Sequence, residues 1–166
     1  MGLITGAVTI ATLAVTLGSL LRPVEPRPVQ SGLVLAAAVF VLAGECGLHR
    51  ITLPHRRAQV PSTVIAAGGD AGALRFGFEM GCGVRTHLPS NLPYLPLVTV
   101  LLVSSWPAAL ATGLGFGLGR AAMALGRHYS RDGTWWDHQW RRHERALRIA
   151  LALAAVLLAG ALVLLP

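Results

Sequence analysis

Three side chains that could take part in chemistry lie close together in the segment GALRFGFEMGCG, residues 72–83. Arg75, Glu79 and Cys82 are spaced i, i+4 and i+7, so a helix would place them along one stripe. Arg75 could bind an anion, and Glu79 could orient that anion or carry a proton. Because ionisable side chains inside a membrane are costly, they are candidates for a functional site. The alternative is a structural ion pair on an amphipathic helix at the membrane surface.

The residues around this stripe predict a helix that is broken rather than continuous. Two glycines interrupt the segment 61–84, and Asp70 after them is a suitable N-cap for a second helical piece. A piece over 71–81 would be about 16 Å long, roughly half of a hydrocarbon core of about 30 Å. Broken helices of this kind hold ions and polar substrates in transporters. The predicted polar site therefore adds Asp70 to the pair formed by Arg75 and Glu79.

Glu45 is a second costly charge, near the end of an apolar stretch over 29–48. A helix that continued through it would place Glu45 and His49 at i and i+4. Glu45 either reaches the headgroups or an arginine at the membrane surface, or it faces the helix bundle and joins the Arg75 stripe. The sequence leaves both orientations open, so Glu45 is also a candidate for an ion or substrate pathway.

The two cysteines, Cys46 and Cys82, allow a different chemistry. They form no C-x-x-C motif, and isolated cysteines in apolar surroundings usually serve as small buried side chains. A redox pair is the alternative, and Arg75 on the Cys82 stripe would favour a thiolate. Cys46 with His49 and Cys82 with His87 also contain the atoms that zinc prefers, but their spacing is loose. We therefore expect no metal and no cofactor.

The elements that must position these residues are long and apolar. Of the 166 residues, 54% are hydrophobic and 13% are charged, whereas a soluble domain has roughly 25% charged residues. About 20 helical residues cross a hydrocarbon core, and four stretches are long enough, namely 2–21, 29–48, 94–118 and 149–165. Pro96 and Pro107 are expected to kink the third span without breaking it. The sequence therefore predicts an all-α, polytopic helical membrane protein with a single membrane domain over 1–166.

The distribution of arginine predicts the topology. The sequence has 14 basic residues, all of them arginine, and a net charge of +7. Because cytoplasmic loops are rich in basic residues, the loop 119–148 is predicted to be cytoplasmic. If 61–84 crosses as a fifth element, ten arginines lie inside and three outside, whereas four crossings give nine and five. Five crossings of a bacterial plasma (inner) membrane are therefore favoured, with the arginines contacting anionic lipid headgroups rather than nucleic acid.

Two further segments are expected to serve anchoring and packing. Residues 134–148 combine tryptophans with arginines, which predicts a separate interfacial helix before the last span. The segment GLGFGLG, residues 113–119, contains two overlapping G-x-x-x-G pairs, which predict a helix-packing surface.

Together these patterns favour a role without catalysis: a small transporter, a permease subunit or a partner in a membrane complex, with the polar site described above. Because five short spans make a thin wall around any pathway, a homo-oligomer or a larger complex is expected. Two other hypotheses stay open. One is a thiol-disulfide membrane oxidoreductase that uses Cys46 and Cys82, and the other is a purely structural membrane subunit.

Overall fold

The structure is a computed structural model that describes residues 1–54, 69–83, 90–130 and 132–164. Over these ranges the chain forms helices and no strands: α1 (Gly2–Leu21), α2 (Arg27–Glu45), α3 (Gly69–Cys82), α4 (Tyr94–Leu102), α5 (Trp106–Tyr129) and α6 (Gly133–Leu164). Within the same ranges, four helices, α1, α2, α5 and α6, are long and apolar enough to cross a membrane. The predicted fold class, an all-α helical membrane protein, is confirmed.

α1 is a central helix, and its contacts depend on small side chains. Its glycine positions face those of α3 so closely that a Cβ at Gly81 would collide with the carbonyl oxygen of Leu3. In the same way, a Cβ at Gly6 would collide with the carbonyl oxygen of Phe78. Since lipid tails supply no hydrophobic effect between helices, such close backbone packing is what favours their association. The small volume of α1 side chains therefore allows α3, α4 and α5 to surround it.

The packing surface predicted on α5 is confirmed for one of its two glycine pairs. Gly113 lies against α1, where an added Cβ would be 2.8 Å from the Cβ of Ala11, and Gly117 lies near Ile4. These contacts show that α5 runs antiparallel to α1. The other pair begins at Gly115, where an added Cβ would meet no described atom within 4 Å.

α3 and α4 run in the same direction as α1 and lie end to end beside it. α3 contacts α1 near Gly6, whereas α4 contacts it near Gly18, beside the carbonyl of Leu101. Arg22 follows α1 and donates from Nη2 to the carbonyl of Val100 at 2.7 Å. With 14 and 9 residues, the two short helices are about 21 Å and about 14 Å long, enough together for one crossing. We call the end of the bundle at which α1 begins the Met1 end, and the opposite end the Arg22 end.

The predicted single span over 94–118 is wrong, because the chain leaves helical geometry and reverses direction between α4 and α5. Val103 ends α4 with φ −129° and ψ −14°. Ser105 caps α5 by accepting a hydrogen bond from the backbone N–H of Ala108 at 3.5 Å. Pro107 lies in the first turn of α5, where a missing N–H costs nothing. Pro107 therefore begins a helix where the sequence analysis expected it to kink one.

The predicted interfacial helix over 134–148 is not separate from the last span. α6 continues over 32 residues, about 48 Å. Asp132 precedes the helix and caps it, since its Oδ1 accepts hydrogen bonds from the backbone N–H groups of Thr134 at 2.8 Å and Trp135 at 3.1 Å. No glycine or proline occurs between Arg141 and Ala159, and the alanines, leucines and arginines there favour a helix. Nothing in this stretch therefore ends the helix at the membrane surface.

α4 joins two packed clusters, although it is the shortest described helix. Leu95 on one side is fully buried and packs in a cluster with residues of α2 and α6, namely Val34, Ala38, Val41 and Ala159. Val100 on the other side packs in a cluster with residues of α1 and α5, namely Ala14, Val15 and Ala109. Because α4 contacts both clusters, it fixes the position of α1 and α5 relative to α2 and α6.

Candidate functional site

A cavity of about 310 Å³ lies where α3 ends and α4 begins. Its walls come from four helices, which contribute Ala11 of α1, Cys82 of α3, Tyr94 of α4 and Thr112 of α5, and from Pro54 after α2. Most of the lining atoms are apolar. The cavity therefore follows the half-helix predicted over 71–81 and does not lie at the break predicted before Asp70, and its lining is not that of an ion site.

Local sequence explains why the two half-helices stop at this cavity. Gly83 has φ +68°, a left-handed conformation that glycine adopts without the Cβ penalty and that commonly ends a helix. Its backbone N–H donates to the carbonyl of Met80 at 3.3 Å. α4 begins immediately after Pro93, a residue whose fixed φ suits a helix start. Glycine on one side and proline on the other thus define the break.

The non-helical segment 51–54 is attached to the start of α4 by side chains that the sequence analysis missed. The amide of Asn91 donates from Nδ2 to the carbonyl of Ile51 at 2.7 Å and accepts at Oδ1 from the backbone N–H of Leu53 at 2.9 Å. The hydroxyl of Tyr94 donates to the carbonyl of Pro54. The available signal was the motif NLPY, two hydrogen-bonding side chains in an otherwise apolar, proline-containing stretch. This attachment brings Pro54 to the cavity wall.

The polar groups that line the cavity already donate to protein acceptors. Cys82 donates from Sγ to the carbonyl of Gly6 at 3.7 Å, and Thr112 donates from Oγ1 to the carbonyl of Ala108 at 2.8 Å. The hydroxyl of Tyr94 donates to the carbonyl of Pro54, as described above. Because these donors are used, a ligand here would be recognised mainly by shape and apolar contact.

The first turn of α4 also differs from a helix start that binds an anion. The backbone N–H of Tyr94 donates to the carbonyl of Asn91 at 3.0 Å, and that of Leu95 donates to Leu92 at 3.2 Å. Pro93 and Pro96 have no N–H to offer. Anion binding at a helix N-terminus needs free amide donors, so this end of the cavity does not favour an anion.

The ion pair predicted between Arg75 and Glu79 is present but lies outside this cavity. Nε of Arg75 is 3.6 Å from Oε1 of Glu79, and the two side chains are 70% and 14% exposed. α3 passes Gly2 at Leu74 and Phe78, which places the pair close to the Met1 end rather than in the middle of the bundle. Arg75 is therefore a largely exposed charge, and Glu79 is the more buried partner.

Asp70 lies beyond this pair, still farther toward the Met1 end. α3 begins at Gly69, so Asp70 is inside the helix, in its first turn. Because the helix already includes Gly69, the prediction that Asp70 is its N-cap is wrong. Its carboxylate still complements the positive end of the helix dipole. Of the two glycines at which a break was expected, Gly69 has φ +73°, and Gly68 lies outside the described residues, as does the first helical piece before it.

Glu45 pairs with Arg148 and is not brought to the Arg75 stripe. Oε2 of Glu45 accepts a hydrogen bond from Nε of Arg148 at 2.8 Å, and the Glu45 side chain is only 3% exposed. Arg148 also donates from Nη1 to Oε1 of Glu144 at 3.3 Å. Of the two orientations considered for Glu45, pairing with an arginine at the end of the span is confirmed.

The Cys46 and His49 region does not continue the helix as the spacing assumed. α2 ends at Glu45, and Gly47 with φ +83° reverses the chain. The ring of His49 then stacks on Phe40, with 4.4 Å between ring centroids, and its Nε2 lies 2.8 Å from the Phe40 carbonyl oxygen. His49 therefore returns along α2 and does not form an i, i+4 pair with Glu45.

The two cysteines are free thiols that line different cavities. Cys82 is half-buried at the helix break, whereas Cys46 is exposed and borders a second cavity between α2 and α6. Over the described ranges, no three histidine, cysteine, aspartate or glutamate side chains are grouped so that they could hold a metal ion. His87, part of one zinc pattern, lies outside those ranges.

Comparison with models of protein families, with curated proteins and with solved structures found no match to this chain. Its class therefore rests on its own fold: a helical membrane protein with a cavity at the break between two half-helices.

Proposed function

We propose that the protein is a small membrane transporter, or a permease-type subunit, whose cavity at the α3–α4 break binds an uncharged, largely apolar solute. The observation that carries this proposal is the position of an apolar cavity between two aligned half-helices. Transporters place substrate sites at such breaks, and the volume of about 310 Å³ lies at the lower end of the range for small-molecule sites.

The substrate class differs from the ion that the sequence suggested. The side chains that could attract an ion, Asp70, Arg75 and Glu79, belong to the part of α3 near the Met1 end. Cys82 borders the cavity less than one turn after Glu79. In this proposal the charged residues line an approach to the cavity from the Met1 end, and the apolar wall selects the solute.

The orientation in the membrane is part of the same proposal. The C-terminal half of α5 and the N-terminal half of α6 carry many arginines toward the Met1 end, whereas Arg22 and Arg27 lie toward the Arg22 end. By the positive-inside rule, the Met1 end faces the cytoplasm of a plasma membrane. α3 and α4 together then make one of five crossings, and a second copy or a larger complex completes the thin wall around the pathway.

Binding in the cavity can be tested with two tryptophan substitutions on α1. Ile10 borders the cavity, and Leu13 on the same helix is 53% exposed, so Ile10→Trp fills the cavity and Leu13→Trp is its matched control. We expect benzyl alcohol to raise the Tm of the purified wild type and of Leu13→Trp, but not of Ile10→Trp. Benzoate, a charged molecule of similar shape, should have little effect. Equal shifts in all three proteins, or a preference for benzoate, would contradict the proposed site.

Transport can be separated from one-sided binding by labelling Cys82. In a Cys46→Ser background, a small membrane-impermeant thiol reagent is added to intact cells and to inverted vesicles. A transporter that opens its cavity alternately exposes Cys82 to both faces, so both preparations should become labelled. Labelling from one face alone, or from neither, would contradict transport through this cavity.

The same thiols test the oxidoreductase hypothesis. Because Cys46 and Cys82 line separate cavities, the double variant Cys46→Ala and Cys82→Ala should insert and accumulate nearly as the wild type does. A disulfide in the wild type, detected as a mass shift on reduction, would favour redox chemistry over the transport proposal.

A further inference from the structure

A second cavity, of about 370 Å³, lies between the C-terminal end of α2 and the N-terminal half of α6. Glu45 at the end of α2 and the adjacent Cys46 line one side, and α6 contributes Arg141, Glu144, Arg145 and Arg148. Unlike the cavity at the helix break, this one is lined by charged groups from both helices. It belongs to no part of the proposed transport site.

The depth of this cavity in the membrane follows from the two helices that form it. The apolar run of α2 ends at Glu45, and the charge-free run of α6 begins directly after Arg148. The boundary between hydrocarbon and headgroups therefore falls at the same level on both helices. The hydrogen bond of 2.8 Å between Arg148 and Glu45 holds the end of α2 beside this point of α6.

Two of the three arginines that line the cavity are available to bind an anion. Arg148 is held by Glu45 and by Glu144, with N–O distances of 2.8 and 3.3 Å, so most of its charge is balanced. Arg141 and Arg145 are exposed and form no ion pair with any residue in the described part of the chain. Their i, i+4 spacing places both guanidinium groups on the same face of α6, the face that borders the cavity.

We propose that Arg141 and Arg145 bind a phosphate group in this cavity, supplied by an anionic phospholipid headgroup or by free phosphate. Guanidinium groups recognise phosphate oxygens through paired, charge-assisted hydrogen bonds. Basic pockets between membrane helices at the cytoplasmic side bind anionic headgroups. Glu45 has the supporting role of holding Arg148, and therefore α6, against the end of α2.

Arg142 provides a matched control, since it lies next to Arg141 on the same helix and carries the same charge but does not line the cavity. Purified protein is titrated with phosphatidylglycerol, phosphatidylcholine and inorganic phosphate, and binding is followed by native mass spectrometry and by the shift in Tm. We expect Arg141→Gln and Arg145→Gln each to weaken phosphate-group binding by about tenfold, as loss of a charge-assisted hydrogen bond implies. Arg142→Gln should bind as the wild type does.

The arms of the titration identify the source of the phosphate. Retention of phosphatidylglycerol without a response to inorganic phosphate assigns the site to a lipid headgroup, and a response to inorganic phosphate alone assigns it to a soluble ligand. Arg145→Lys keeps the charge without the planar fork, so a folded Arg145→Lys with reduced binding shows that geometry matters. Equal loss in Arg142→Gln, or no loss in Arg141→Gln and Arg145→Gln, would overturn the proposal.

Discussion

Arg148 donates from Nε to Oε2 of Glu45 over 2.8 Å, a bond between residues that are 103 positions apart in the chain. Loss of the partner has different consequences for the two side chains. The Glu45 side chain is 3% exposed, whereas that of Arg148 is 38% exposed and has a second carboxylate, Glu144, at 3.3 Å. Removing the arginine therefore leaves a buried carboxylate, but removing the glutamate leaves an arginine with a partner and with access to solvent.

The first prediction compares the loss of each partner. Arg148→Gln should lower the free energy of unfolding by about 2 kcal/mol, below the 3–5 kcal/mol typical of fully buried pairs because Arg148 is partly exposed. Glu45→Gln should cost about 1 kcal/mol or less, and Glu144→Gln, in an exposed i, i+4 pair, under ~0.5 kcal/mol. Reversible unfolding in mixed micelles measures all three. Equal costs for Arg148→Gln and Glu144→Gln would contradict the asymmetric pairing.

The second prediction concerns the close packing of α3 on α1. A Cβ at Gly81 would collide with the backbone of Leu3, and backbone cannot move aside as a flexible side chain can. Gly81→Ala should therefore destabilise the protein by about 1–3 kcal/mol, as overpacking does. Gly115→Ala, where no described atom lies within 4 Å, should be neutral or stabilising by under ~1 kcal/mol because alanine favours helix. Thermal unfolding of both variants in the same detergent compares them. The prediction is wrong if Gly115→Ala lowers the Tm more than Gly81→Ala does.

The third prediction separates the two members of the pair on α3. Arg75 is 70% exposed and Glu79 is 14% exposed, so Glu79→Gln leaves an arginine that solvent reaches and should change stability by well under ~1 kcal/mol, as for exposed pairs generally. Arg75→Gln should have the larger effect, because it takes an ion-pair partner away from a mostly buried carboxylate. The yield of monodisperse protein and its Tm provide the readout. A larger loss for Glu79→Gln would contradict this order.

The fourth prediction is a pH dependence at the start of α6. The hydrogen bond from the Thr134 side chain, followed by those from the backbone N–H groups of Trp135 and Thr134, lowers the pKa of Asp132 below its usual value. A carboxyl whose pKa is lower in the folded state stabilises that state above the unfolded pKa, about 3.9 for aspartate. This contribution is lost as the pH falls through the folded pKa.

We therefore expect Asp132→Ala to speed amide hydrogen exchange at Thr134 and Trp135 near neutral pH. The difference from wild type should shrink only in acid, as the pH falls below the usual aspartate pKa of about 3.9 and through the lower pKa of the folded carboxyl, where that carboxyl becomes protonated. Hydrogen exchange followed by mass spectrometry, corrected for the intrinsic pH dependence of exchange, measures this. Asp137→Ala is the control, because Asp137 pairs with Arg127 at 3.1 Å and does not cap the helix. A difference that does not vary with pH would contradict the capping role of the ionised form.

Features encoded by neighbouring residues could be predicted from the sequence. The bounds of α1 match the uncharged stretch 2–21, and the half-helix predicted over 71–81 corresponds to α3, Gly69–Cys82. The i, i+4 pair of Arg75 and Glu79 follows from helix geometry alone. In each case the signal is short in range: hydropathy, a flanking glycine, or a spacing on one turn.

Features that depend on distant residues could not be predicted in the same way. The reversal between α4 and α5 contains no charged residue, and the stretch resembles one continuous span, because two serines do not interrupt a span and Pro107 occurs both in kinks and at helix starts. Glu45 could have paired with any of several arginines, and only the packing of α2 on α6 selects Arg148. The proposed substrate class differs from the ion expected from the sequence for the same reason, since the apolar cavity is formed by residues from four helices.

The contacts of α1 also determine the order in which the protein can assemble. The glycines that cover its small-residue surface, from Gly77 on α3 to Gly117 on α5, are translated long after α1 itself. At the usual synthesis rate of about 5–20 residues per second, roughly 100 further residues take about 5–20 s. During that interval lipid or the insertion machinery must cover the surface of α1. α1 is thus translated well before the helices that cover it, and lateral association of inserted helices, rather than insertion alone, completes the fold.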